Sequence, residues 1–146
     1  VFQRCTDVMH DEILVSVGAG TLTIYEDGDA LDHLVRTTLE AFFHSVADPR
    51  VLRVCWLEVL GVSPLVDATY IAGVDRFAAL VSTVISGAFG LEPDERLRLV
   101  ATALVGGVMT TAVRWYLDGQ NEPVSTLVEA NAMLFNGVAH HLGGPG

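Results

Sequence analysis

The stretch DPRVLRVCWLEVLGVSP, Asp48 to Pro64, carries the pattern on which the chain is built. Asp48-Pro49 opens a run of apolar residues, Gly61 closes it, and Ser63-Pro64 opens the next. Proline suits the first helical position because its missing N–H would be unpaired there anyway, and glycine past the end accepts a left-handed cap. The bracket recurs downstream, from Ser63-Pro64 to Gly90, from Glu92-Pro93 to Gly119 and from Glu122-Pro123 to Gly143. Asp48 and Ser63 are good side-chain caps, while Glu92, Asp94, Glu95 and Glu122 put negative charge at the positive end of a helix dipole. Four brackets predict four helices, near 49–60, 64–89, 93–118 and 123–142.

Two more helices are expected upstream. Thr6 to Val17 sets Val8, Met9, Ile13 and Val17 roughly on one face, and Gly18-Ala19-Gly20 stops it. After a loop, Asp29 can cap a helix to about Ala47, which places Leu31, Leu34, Val35, Thr38, Leu39, Phe42 and Val46 at helical spacing. The run Thr21 to Tyr25 alternates like a strand, but a lone strand has nothing to pair with and reads as loop. The expected fold is all-α: a single domain of six helices.

Composition bounds the function. The 146 residues include 8 basic and 18 acidic side chains, for a net charge of −10, and 51% of the chain is apolar. Every basic residue is arginine. Such acidity argues against direct contact with nucleic acid or anionic membranes, and the apolar content argues against disorder. The longest uncharged stretches, Phe77 to Leu91 and Leu99 to Val113, fall short of the roughly 20 residues of a membrane span. No apolar signal-peptide core follows Val1, and the missing initiator Met suggests a processed product or fragment. Cys5 and Cys55 stand apart with no CxxC, as two free thiols of a reducing cytoplasm would.

Something must bury the apolar surface. Helices of about 26 residues would extend roughly 39 Å, long for this chain. The 93–118 helix has a broad apolar face and a middle of small residues, including Gly106 and Gly107. Mid-helix glycines cost about 1 kcal/mol each relative to alanine, so the pair suggests close approach by another helix or a ligand. The 93–118 and 123–142 helices carry more apolar surface than a six-helix monomer needs to cover, so a symmetric dimer through them is the economical expectation.

Motifs for chemistry are missing. His10, His33, His44, His140 and His141 form no HExxH, and Glu40 to His44 is not the ExxH of di-iron bundles. His140-His141 reads as a solvated helix terminus. There is no GxSxG, P-loop or GxGxxG. Glu26, Asp27, Asp29 and Asp32 lack EF-hand spacing and suit a helix start, and the arginines read as solvated faces. No catalytic residue, metal site or cofactor is assigned, and the chain is not expected to be an enzyme. Aromatic and small residues offer more. Phe42, Trp56, Tyr70, Phe77, Val81 and Met109 suit the wall of an apolar pocket between helices, with Thr38, Cys55, Thr110 or Tyr70 as sparse polar groups. Tight core packing needs the same residues, so both readings stand.

The stretch Asp48 to Pro64 and the long helix containing Arg76-Phe77-Ala78-Ala79-Leu80 resemble the C-terminal domain of TetR-family transcriptional regulators. Ala103 to Val108 followed by Arg114-Trp115-Tyr116-Leu117-Asp118-Gly119 is similar to that family's penultimate helix, and the Pro123-Val124 helix with Leu127 and Leu134 to its last. The resemblance covers about residues 28–142. It implies an effector-binding and dimerisation domain there, with residues 1–17 as the helix connecting it to an N-terminal DNA-binding head that this sequence lacks. It further implies a bacterial regulator that forms a homodimer, the last two helices of each subunit building a four-helix bundle. Leu104, Val108, Trp115, Leu127, Asn131, Leu134 and Val138 would be the interface. A small apolar effector would sit between the middle helices against Thr38, Phe42, Cys55, Trp56, Tyr70, Phe77, Val81 and Met109. DNA would be contacted only through the head. The rival expectations are a homodimerisation module with a packed interior and no ligand, and a small helical enzyme.

Overall fold

The computed structural model describes residues 29–54 and 61–143. The expected helix Thr6 to Val17, the loop after it, and the sites Cys5, His10, Glu26, Asp27, Cys55 and Trp56 lie outside these. Among the described residues every regular element is a helix: α1 (Asp29–Ser45), α2 (Pro49–Leu52), α3 (Pro64–Phe89), α4 (Glu95–Leu117) and α5 (Val124–Gly143).

Capping accounts for most of the boundaries. The Asp48 carboxylate accepts from the Arg50 N–H at 2.9 Å, and the Ser63 hydroxyl accepts from the Val66 N–H at 3.3 Å. Each leaves a proline at the start of its helix. The third bracket differs. Asp94, not Glu92, is the cap: its backbone is extended, and its carboxylate accepts from the Leu97 N–H at 2.7 Å. Pro93 therefore precedes the helix instead of opening it. At the C-terminal ends, Gly90 takes φ 62° and Gly119 takes φ 79°. Gly119 N–H donates to the Tyr116 carbonyl and Gln120 N–H to the Trp115 carbonyl, the paired bonds of a Schellman cap. Gln120 also reaches across the fold, its Nε2 donating to the Ala47 carbonyl at 2.9 Å.

The helices pack chiefly in two pairs, α1 along α5 and α3 along α4, with smaller contacts of α4 to α5 and to α2. Phe43 of α1, Val46 just past its end, Leu52 of α2 and Ala112 of α4 are fully buried at the centre. Phe43 meets Trp115 edge-on with centroids 6.3 Å apart, and Phe42 at 5.2 Å. Trp115 satisfies its indole N–H on the Glu122 carbonyl at 2.9 Å. Ala78, Ala101, Val105 and Met109 join α3 to α4, and Ile85, Leu97 and Leu104 close the far end against Val138 and Leu142. Buried alanines, not the mid-helix glycines of α4, line the α3–α4 contact. A Cβ added at Gly106 or Gly107 would meet nothing within 4 Å, so none of the described elements crowds them.

Two expectations change here. By length and composition α3 and α4 are each sufficient to cross a membrane. The exclusion based on uncharged stretches fails because both helices continue past the arginines that bound those stretches. Only 22% and 39% of their apolar windows are buried in the chain, so both keep apolar surface outside. The second change concerns the expected interface. Leu104, Val108, Trp115, Leu127 and Asn131 are buried inside the chain's own fold. Val138 is half-buried against the α3–α4 end cluster, and Leu134 alone of the seven is exposed, at 58%. Helical spacing identifies an apolar face but not which neighbour covers it, and here other helices of the same chain do.

Candidate functional site: an apolar cavity between four helices

Six residues of α1 at helical spacing, Leu31, Leu34, Val35, Thr38, Leu39 and Phe42, turn toward a cavity of about 110 Å³. Phe77, Leu80, Val81, Val84 and Ile85 of α3 face them with the same period. Val105, Val108 and Met109 of α4 and Phe135 and Ala139 of α5 complete the wall. The cavity exists because these four stripes converge without filling the space between them. Ala139 contributes only a methyl group to the wall.

Among the described residues the lining contains no charged side chain, and Thr38 is its one polar side chain. Its hydroxyl oxygen is buried without a hydrogen-bond partner. That departs from other threonines in these helices. Thr69, Thr83, Thr102 and Thr111 each donate to the carbonyl four residues earlier, at 2.8 to 2.9 Å. Leaving a buried hydroxyl unpaired costs about 1–3 kcal/mol, so this one either weakens the fold or meets a partner from outside it.

Of the expected pocket residues, Thr38, Phe42, Phe77, Val81 and Met109 lie together on this wall. Tyr70 does not. It packs half-buried beside the Ala78–Met109 cluster, about two turns before Phe77 on α3, where burial raises its phenol pKa. Thr110 is exposed on the outer side of α4. Sequence reasoning missed the contribution of Phe135 and Ala139, and it assigned Val108 to a subunit interface. The α1 stripe was visible as an amphipathic face, but not as a cavity wall.

Elsewhere the polar groups pair within a helix or tie two helices together. The Asp32 carboxylate accepts from Arg36 within α1 and from Asn136 of α5, tying the two helices beside the cavity. Burial pushes its pKa up, but these hydrogen bonds and the Arg36 charge outweigh that and hold it below the usual value. Arg50 with Asp48, Arg98 with Glu95 and Arg114 with Asp118 are exposed ion pairs. Among the described residues no three His, Cys, Asp or Glu side chains are grouped to hold a metal. Compared with known proteins, the chain matches no family model, no curated protein and no solved structure.

Proposed function

We propose that this chain is the ligand-sensing and dimer-forming domain of a TetR-type bacterial transcriptional regulator. The observation that carries this reading is the partly open apolar cavity lined by α1, α3, α4 and α5, with one unsatisfied hydroxyl on its wall. A core built only for stability would close such a space, because a void leaves its lining without packing partners. A small apolar effector would fill it. Since α1 supplies six of the lining residues, filling the cavity would act on the helix nearest the segment that leads toward a DNA-reading head of the parent protein. An effector that prefers one helix arrangement shifts the population toward it, with a coupling of about 1–3 kcal/mol typical of such devices. The chain itself would carry no catalytic activity and use no cofactor, and it would work in the cytoplasm.

Dimerisation is the second half of the proposal, and its interface moves to the outward faces of α4 and α5. Leu99 and Leu117 on α4 and Met133 and Leu134 on α5 are exposed, at 55% to 71%. Gly106, Gly107 and Gly137 have open space above them, where a helix of a second copy could approach. The test is a ligand titration followed by thermal unfolding and by light scattering. A neutral apolar compound that raises the Tm of a dimer supports the reading. A monomer whose Tm no such compound moves refutes it.

A further inference from the structure

We propose that the cavity selects neutral, largely apolar ligands carrying one hydroxyl or carbonyl, and that Thr38 is the anchor for that group; this rests on the cavity being a ligand site. The charge of the ligand follows from the wall. Among the described residues no arginine, histidine or carboxylate lines the space, so an ionised ligand would lose its hydration with no counter-charge from them to replace it. That excludes carboxylates and ammonium compounds as good occupants.

The single polar group follows from Thr38. Threonine in a helix divides between two χ1 positions, in one of which its hydroxyl bonds back to the preceding turn. Thr69, Thr83, Thr102 and Thr111 take that bond, and Thr38 leaves it unmade while lining the cavity. Its hydroxyl can donate to a ligand carbonyl or accept from a ligand hydroxyl, and a turn about χ1 exchanges the positions of its methyl and its oxygen. The remainder of the ligand would lie against Phe77, Val81 and Met109. The size follows from the volume. A buried apolar cavity of about 150 Å³ holds benzene, so this partly open space of about 110 Å³ takes no more than one six-membered ring.

The test uses toluene, benzyl alcohol and benzoate, which keep one ring and change only the substituent. Each is titrated into the full chain while the methyl resonances of Leu34, Val81 and Met109 report binding. Toluene and benzyl alcohol are expected to bind, and benzoate is expected to leave the resonances unmoved at concentrations that saturate with benzyl alcohol. Thr38→Val removes the hydroxyl at nearly constant shape. It should weaken benzyl alcohol about tenfold relative to toluene, in line with the loss of one hydrogen bond, and Thr38→Ser should restore the preference. Equal binding of benzoate, or a Thr38→Val variant that treats both neutral probes as the wild type does, overturns the proposal and leaves the cavity reading standing. Failure of all three probes to bind overturns the cavity reading, and the anchor with it.

Discussion

Replacing Ala139 by leucine separates a real cavity from a packed interior by the sign of its effect. Ala139 is 4% exposed and lies on the cavity wall, opposite the stripes of α1 and α3. Leucine adds three carbons there. If the space is open, they enter it and gain about 0.8 kcal/mol per buried carbon, or roughly 2 kcal/mol, without creating strain. If the interior is closed, the same atoms overpack it and cost about 1–3 kcal/mol. The two outcomes differ by about 3–5 kcal/mol, far above the error of a denaturation curve. For a chain of this length, 2 kcal/mol corresponds to a rise of about 4–8 °C in Tm. The assay is urea unfolding followed by far-UV circular dichroism, with a higher midpoint at an unchanged slope expected. Because the leucine occupies the ligand's place, toluene binding should disappear in the same variant. A lower midpoint would refute the reasoning.

Other perturbations probe the rest of the account. Phe43→Ala removes a fully buried ring that meets both Phe42 and Trp115, and it should cost about 3–5 kcal/mol in the same unfolding assay. Leu134→Asp, at a site 58% exposed, should leave monomer stability within about 0.5 kcal/mol and dissociate the dimer in native mass measurement; an undisturbed dimer would exclude the outer face of α5 as the interface. The Asp32 carboxyl is held below its ordinary value when folded. Its contribution is therefore present above the unfolded-state pKa and is lost as pH falls through the lower folded-state value. Asp32→Asn should flatten the acid limb of the stability curve, and an unchanged limb would show that the tie to Arg36 and Asn136 contributes nothing. The side chain is 42% exposed, so the effect should be smaller than that of a buried pair.

Helix existence and helix ends were written largely in local residues. Asp48, Ser63, Gly90 and Gly119 act within one turn of themselves, so proline and glycine punctuation is nearly sufficient to place α3, α4 and α5. The exception shows the limit of that reasoning: Pro93 fits a first helical position, yet Asp94 one residue later offers a better cap and wins. Which helix covers which face is another matter. Trp115 and Leu127 have the spacing of an interface stripe, but they pack in one cluster with α1 residues such as Phe43 that lie far earlier in the chain, and spacing carries no record of that. The cavity is less legible still. A stripe such as Phe77, Leu80, Val81 and Val84 looks the same whether its neighbours fill the space or stop short of it. Thr38 lies on the amphipathic stripe of α1, and only the burial of its hydroxyl without a bond to the preceding turn distinguishes it.

The central claim is that a ligand-sized apolar space lies between α1, α3, α4 and α5. A crystal of the chain under xenon pressure tests it most directly, since xenon enters dry apolar cavities and scatters strongly. The account predicts one strong xenon peak bounded by Leu34, Thr38, Phe77, Val81 and Met109. Side chains closed over that position, with no xenon among them, would contradict it.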